Sequence, residues 1–169
     1  MLPNSDPVHK ISIVSRGMAL GYTMPLPEED HLLYGQSKFE DELAGLLGGR
    51  VAEEEVFGDV TTGASNDLER VTALARRMVT QYGMSEVLGP QTFGEKEELV
   101  FLGREIGEQR NYSEEVAEDI DLEVRRLVHE AHDRTRDIVR TYRAKLDELA
   151  RRLIEQETIE AHEFAALFA

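Results

Sequence analysis

The sequence contains no cysteine, and its 5 proline residues all lie before position 91. The absence of cysteine excludes disulfide bonds and thiolate metal sites, and is typical of a reducing compartment. Long hydrophobic runs are also missing, and no stretch approaches the ~20 apolar residues that a transmembrane helix needs. From the residues before the first predicted strand we expect no signal peptide. We therefore expect the chain itself to be soluble.

Positive charge is scarce as well. The chain has 19 basic residues against 34 acidic ones, which gives a formal net charge of −15. Such a charge repels a phosphate backbone and an anionic membrane surface, so we expect no nucleic-acid partner. The apolar content of 41% is that of a folded globular protein.

The first elements are predicted to form a β-hairpin. The segment from Val8 to Val14 is rich in β-branched residues, Arg16-Gly17 offers a turn, and Met18 to Met24 supplies a second strand. An exposed strand of this hairpin could pair with an extended polypeptide.

Helices are predicted next. Ser37 and Glu40 have the spacing of a capping box, and Gly48-Gly49 is a typical helix end. A second helix is predicted from Arg50 to Phe57, with four apolar residues facing inward: Val51, Ala52, Val56 and Phe57. A third is predicted from about Asp67 to a stop at Gly83, burying Leu68, Val71, Leu74, Ala75, Met78 and Val79.

After an expected exposed loop over 84–112, the apolar periodicity of the remaining chain predicts helix. One uninterrupted helix would be too long for a domain of this size, so we expect a break near Thr141 to Arg143 and an antiparallel helical pair. Thr158 is predicted to cap a last short helix ending at Leu167-Phe168. The predicted class is mainly α, with α+β character from the hairpin, in a single domain over 1–169 divided as 1–36, 37–83, 84–112 and 113–169.

The segment Thr61 to Arg77 carries the sharpest chemical hypothesis. Ser65 or Asn66 can cap the helix, and Asp67 then places a carboxylate in its first turn, where free N–H groups favour negative charge. Alternatively Asp67 is a metal ligand, since a carboxylate oxygen is an acceptable zinc ligand. Local residues leave both interpretations open.

A histidine pair, His129 and His132, resembles the zinc-protease motif H-E-x-x-H but is one residue too short. Charged neighbours favour a solvated helix face for this pair. His9, His31 and His162 are isolated, and no P-loop, dinucleotide fingerprint or G-x-S-x-G elbow is present.

Several blocks occur in the order found in one family: LPNSDPVHKISIVSRGMALGYT, LLGGRVAEEEVFG, TTGASNDLERVTALARRMVTQYGMSEVLGP and VFLGRE. With these blocks the chain resembles the C-terminal part of the peptidase domain of the FtsH family, membrane-anchored ATP-dependent zinc metalloproteases. The resemblance implies that Asp67, in Ser65-Asn66-Asp67, is the third zinc ligand beside two histidines of an H-E-x-x-H helix. It also implies a hexameric parent, anchored in a membrane with this domain on the cytoplasmic or equivalent side, that uses ATP in a separate module and degrades unfolded and membrane polypeptides.

The sequence departs from that pattern because no H-E-x-x-H occurs in it. The resemblance places that helix just upstream of Leu2-Pro3-Asn4, with the ATPase module and the membrane anchor further upstream. One carboxylate cannot hold a catalytic zinc ion alone, so we expect absent or weak zinc binding and no proteolysis by the chain as given. The alternative is a non-catalytic module for oligomerisation or assembly.

Overall fold

The computed structural model describes residues 1–15, 21–26, 33–94 and 111–168. Within these ranges the chain forms three strands: β1 (Val8–Ser12), β2 (Tyr22–Pro25) and β3 (Thr158–Glu160). Six helices accompany them: α1 (Gln36–Leu46), α2 (Gly48–Phe57), α3 (Ser65–Thr80), α4 (Glu114–Thr141), α5 (Arg143–Gln156) and α6 (Ala161–Leu167). A 3₁₀ turn, Thr62–Ala64, leads into α3. The mainly α class with a small β part is confirmed.

The predicted hairpin is present and belongs to a three-stranded sheet of order β2-β1-β3. β1 runs antiparallel to both neighbours, so Ser12 opposes Tyr22 on one side and Thr158 on the other. The predicted turn at Arg16-Gly17 and the start of the second segment at Met18 lie outside the described residues. Among the strands that the structure describes, β1 is central, so β2 and β3 provide the sheet edges.

β3 corrects the prediction for the C-terminal segment. Thr158 is a strand residue, and Ile159 beside it is fully buried. The helix cap lies two residues further on, where Glu160 and Glu163 form a reciprocal capping box at the start of α6. Thr158 pairs with β1 and therefore cannot serve as the cap.

The core lies where α4 packs against α1, α2 and α3. The main buried cluster contains Leu43, Leu47, Val51, Val71, Leu74, Ala75, Met78, Val79, Leu88, Ile120, Val124, Leu127 and Ala131. The predicted break after the long apolar stripe is confirmed, because Tyr142 alone separates α4 from α5. The first three helices provide the main packing surface of α4, whereas α5 contributes less to it and also contacts β3.

Several predicted helix ends are wrong. α1 begins at Gln36 after Gly35 without a side-chain cap, and the Glu40 carboxylate instead accepts a hydrogen bond from Gln36 Nε2 at 2.9 Å. Gly48 and Gly49 open α2 rather than ending α1, since Leu47 forms the corner between the two helices.

Two predicted core residues are exposed. Phe57 and Leu68 are 78% and 37% accessible, and they lie in the last turn of α2 and the first turn of α3. The expectation of an exposed loop after α3 is also wrong in part, since Ser85 and Leu88 are buried. The acidic run Glu95 to Glu98, the apolar Leu99 to Leu102 and the VFLGRE block lie outside the described residues.

Candidate functional site

The candidate site is the start of α3 and the loop before it. Gly58 ends α2 with a φ of 66°, a left-handed conformation that glycine adopts without strain. Thr61 then caps the 3₁₀ turn, because its Oγ1 accepts a hydrogen bond from Gly63 N at 3.1 Å. Ala64, the last residue of the turn, is buried.

Ser65 and Asn66 do not cap α3, contrary to the sequence-based prediction. Ser65 has helical dihedrals, and its N–H bonds to the Thr62 carbonyl, so both residues already lie within the first helical turn. The N-cap position of α3 is Ala64, which has no side chain to cap it, and the side-chain cap instead belongs to the preceding 3₁₀ turn, at Thr61.

Asp67 is the third residue of α3, where its carboxylate is close to the positive end of the helix dipole. Its side chain is 45% exposed, and Arg70 Nη1 lies 3.5 Å from Asp67 Oδ1. An exposed pair at this distance contributes little to stability. Asp67 is therefore an accessible carboxylate on a fixed helix start, as both sequence interpretations require.

Three consecutive glutamates of α2 form hydrogen bonds outside their own helix, the first with this loop and the next two with α4. Glu53 accepts hydrogen bonds from Thr61 N at 3.0 Å and Thr61 Oγ1 at 2.9 Å. Glu54 Oε2 lies 3.0 Å from His132 Nε2 of α4, and Glu55 Oε2 accepts a hydrogen bond from Arg140 Nε at 2.9 Å.

The two glutamates that contact α4 remain ionised to lower pH than usual. Burial acts to raise the pKa of Glu54, but hydrogen bonds from Arg50 and His132 outweigh it and lower the pKa. The hydrogen bond from Arg140 lowers the pKa of Glu55. Both carboxylates therefore favour the charged form that their partners need.

The histidine pair on α4 is only partly on a solvated face. His132 is partly buried, and its Nδ1 lies 3.2 Å from Arg136 Nη2 while Nε2 faces Glu54. The ring therefore joins Glu54 of α2 to Arg136 of the following turn of α4. Both histidines line a groove of about 470 Å³ together with Glu54 and Leu68.

Asp41 and Glu123 are buried, although neither was predicted to be. Asp41 Oδ1 lies 2.7 Å from Arg134 Nη2, and Asp41 Oδ2 accepts a hydrogen bond from Asn4 N at 2.7 Å, so Asp41 ties the N-terminal segment and α1 to α4. Glu123 is buried with Ser85 and Arg126. Its place in the apolar stripe of α4, between Ile120 and Leu127, was a usable sequence signal.

Comparison with known proteins decides the family. The model of peptidase family M41 matches residues 1–167. The chain belongs to peptidase family M41. It is similar to ATP-dependent zinc metalloprotease FtsH 1 of Sphaerobacter thermophilus, with 60% identity over 168 residues, and to the FtsH 1 protein of Thermomicrobium roseum, with 58% identity over 168 residues. The FtsH protein of Thermotoga maritima is 54% identical over 170 residues.

These matches cover 99%, 99% and 100% of this M41 chain but only 26%, 26% and 28% of the relatives' own lengths. The chain thus spans about a quarter of each protein. No helix in the described parts of the M41 chain has the length and apolar character needed to cross a membrane.

The side chains of this M41 chain that could bind zinc are its histidines, aspartates and glutamates, since it has no cysteine. Asp67 fits the role of one ligand, since its carboxylate is accessible and paired only loosely with Arg70. Within the described ranges no three His, Cys, Asp or Glu side chains converge in a way that could hold a metal ion. His9 and His162 are exposed, and His31 lies outside the described residues. The described residues alone therefore do not fit a complete zinc site.

Proposed function

We propose that this chain is part of the peptidase domain of an ATP-dependent zinc metalloendopeptidase that degrades unfolded and membrane proteins. Asp67 is the residue of this chain that contributes to the metal site. The observation that carries the proposal is its accessible carboxylate, at the start of α3 within the family's Ser65-Asn66-Asp67 segment. Membership of family M41 and the printed names of the relatives support it.

The role proposed for Asp67 is to hold the metal through one carboxylate oxygen. Bound zinc would supply a Lewis acid and an activated water for peptide hydrolysis. The helix start keeps the carboxylate in place, and the weak pair with Arg70 leaves an oxygen accessible. The two histidine ligands and the catalytic glutamate are proposed to come from residues outside this sequence, in which no H-E-x-x-H occurs. ATP use and membrane anchoring are assigned to other parts of such a protease.

The 169 residues alone are accordingly proposed to be proteolytically inactive, because one monodentate carboxylate cannot retain zinc. Elemental analysis of the purified chain should give far less than one zinc per molecule. Stoichiometric zinc, or casein cleavage that a chelator stops, would contradict this proposal.

The role of Asp67 is tested in the intact protease that carries this chain. Asp67→Asn should abolish casein degradation and greatly weaken zinc binding, because an amide is a poorer ligand than a carboxylate. Glu69→Gln removes a negative charge two residues away on the same helix and should retain both properties. Equal zinc content in wild type and Asp67→Asn would exclude Asp67 as a ligand.

A non-catalytic assembly module is the alternative. Exposed large apolar side chains on separate parts of the chain favour it: Leu33 is 90% accessible, Phe57 78% and Ile154 76%. Such residues can contribute to contacts between copies of the chain. A hexamer, as the family resemblance implies, is the proposed assembly.

A further inference from the structure

The C-terminal segment formed by β3 and α6 is joined to α5 by one strained residue, Glu157, which is the hinge between them. Glu157 has a φ of 62°, in the left-handed region that residues with a Cβ adopt only at a cost. Among the residues that the structure describes, the other positive φ angles all belong to glycines, such as Gly58 and Gly83. The hinge therefore has a conformation that suits glycine but carries a glutamate.

The segment beyond the hinge binds a distant part of the chain. β3 pairs with β1 in antiparallel register, and Thr158 opposes Ser12 although the two are 146 residues apart. Ile159 is fully buried, and Lys10 Nζ of β1 lies 2.7 Å from Glu160 Oε1. Contacts between α6 and β1 add to this attachment. The partner strand is remote in sequence, so β1 of a second copy offers the same contacts.

The hinge residue is bonded on both sides. The Glu157 carbonyl accepts hydrogen bonds from the Ile13 N–H at 3.0 Å and from the Ser12 hydroxyl at 3.2 Å, which extend the pairing of β1 with β3. The Glu157 N–H donates to the Leu153 carbonyl of α5 at 2.8 Å. The left-handed φ is the turn that joins these two sets of bonds within one molecule.

We propose that two copies of this chain exchange their C-terminal segments, so that β3 and α6 of each copy bind β1 of the other. The contacts between β3 and β1 are the same in the exchanged dimer as in the monomer. Glu157 then leads away from α5 in an extended conformation, which removes the left-handed strain from both chains. Strain in a short hinge is a general cause of such exchange.

An exposed apolar side chain beside the hinge supports the exchange. Ile154 is 76% accessible and lies in the last turn of α5, three residues before Glu157. Exchange about a twofold axis brings the two hinges, and with them the last turns of both α5 helices, close together. This contact removes apolar surface of Ile154 from water, and it exists only in the dimer.

Negative charge at the same place opposes the exchange. Glu155 and Glu157 are exposed, and the exchanged dimer brings the carboxylates of both copies together at the hinges. Dissolved salt screens this repulsion. We therefore expect the exchanged dimer to form best at high salt and high protein concentration.

Cysteine cross-linking distinguishes exchange from other association, because the full 169-residue chain has no cysteine of its own. Ser12→Cys and Thr158→Cys are introduced together, at positions whose hydroxyl oxygens lie 2.9 Å apart. The chain is refolded from denaturant at high protein concentration in about 1 M sodium chloride, and the dimer fraction is isolated and oxidised. An exchanged dimer should remain a covalent dimer on a denaturing gel without reductant. Monomers and unexchanged dimers should give single chains with an internal disulfide.

Substitutions at the hinge test the cause of the exchange. Glu157→Gly allows the left-handed φ without strain and should weaken dimerisation about 10-fold or more, since both copies lose the strain that exchange relieves. Glu157→Pro fixes φ at about −65° and should shift the chain towards the dimer. Glu157→Gln is the matched control: it keeps the strained backbone without the charge and should dimerise at least as strongly as the wild type. Size-exclusion chromatography with light scattering measures the dimer fraction.

The proposal fails if the wild-type chain stays monomeric at every protein and salt concentration. It also fails if the isolated dimer of the double-cysteine chain gives only single chains after oxidation, because the two copies then associate without exchange. Equal dimerisation of Glu157→Gly and Glu157→Gln would show that hinge strain is not the cause. This comparison and the cross-linking decide the matter even if Glu157→Pro does not fold.

Discussion

Glu123 shows how a single buried charge is accommodated in this protein. Its side chain lies within the face of α4 that meets the core, 6% accessible, with three polar contacts. Ser85 Oγ donates a hydrogen bond to Oε2 at 2.7 Å, and Arg126 Nε and Nη2 donate to the two oxygens at 2.9 and 3.1 Å. Ser85 Oγ also accepts the Leu88 N–H, so the carboxylate organises the turn after α3.

These contacts make stability depend on pH. The hydrogen bond from Arg126 is the largest influence and lowers the pKa of Glu123, burial opposes it, and the Ser85 hydroxyl lowers it further. An unfolded glutamate has a pKa of about 4.3. Because the folded value lies below the unfolded one, the unfolded chain binds more protons in acid. The stabilisation is complete above the unfolded value and is lost as pH falls through the folded one.

The free energy of unfolding should fall as the pH is lowered from about 6 to about 3.5. We predict that it falls less in Glu123→Gln than in the wild type. At neutral pH the same variant should be less stable by roughly 1–3 kcal/mol, since the charged acceptor is removed. Urea unfolding at a series of pH values measures both effects. Glu130→Gln, which alters the exposed partner of the same Arg126, is the control. An acid response of Glu123→Gln equal to that of the control would contradict the assignment.

At the residue scale, the position of Asp67 in a first helical turn was predictable from sequence, because it is a local property; its role as a metal ligand stays a prediction from the family motif. Sequence alone could not identify the roles of Glu53, Glu54 and Asp41. Their partners, Thr61, His132 and Arg134, are brought to them by turns and helix packing. Without knowledge of these partners, the three carboxylates would be interpreted as charged residues exposed to solvent.

At the scale of elements, the end of α3 depends on one glycine. Gly83 has a φ of 61°, and Met84 N bonds back to the Met78 carbonyl at 2.9 Å, which closes the helix end. A Cβ at position 83 would lie 3.0 Å from Pro90 Cα and 3.2 Å from Gln91 N. A side chain at position 83 would therefore be strained for two reasons, the positive φ and the close backbone of Pro90 and Gln91.

Gly83→Ala should accordingly destabilise the protein by about 1–3 kcal/mol. Gly48→Ala is the matched control, because Gly48 lies within α2 and a Cβ there would meet no atom within 4 Å. It should stabilise the protein by about 0.5–1 kcal/mol, since alanine restricts the unfolded chain and favours helix. Chemical denaturation of both variants gives the comparison. Equal effects of the same sign would show that Gly83 is not required for this helix end.

Helices were predictable where their apolar residues recur regularly over several turns. The helix α3 follows from apolar residues that recur every three to four positions over several turns. The break at Tyr142 was predictable because one uninterrupted helix would be too long for a domain of this size. β3 was missed because three residues cannot carry a period-two pattern and because its pairing partner lies far away, with Ser12 and Thr158 146 residues apart. The end of α1 and the start of α2 were misjudged because Leu47, a buried apolar residue, makes the corner that the glycines were expected to make.

At the scale of the whole molecule, net charge and exposed apolar surface have opposite effects on self-association. A charge of −15 repels other copies of the chain, whereas side chains such as Leu33, Phe57 and Ile154 favour contact between copies. Dissolved salt screens the repulsion, since the Debye length falls from about 10 Å at 0.1 M to about 3 Å at 1 M. Apolar contacts are not weakened by such screening.

If this chain contributes to assembly, its self-association should therefore increase as sodium chloride rises from about 0.1 M to about 1 M. Size-exclusion chromatography with light scattering measures the average mass at each salt concentration. Phe57→Ser should reduce the high-salt mass if that side chain lies in the contact, whereas Glu69→Gln should leave it unchanged. A strict monomer at every salt concentration would exclude the assembly alternative. A mass that falls with salt would instead require attraction between oppositely charged surfaces, which this excess of acidic residues opposes.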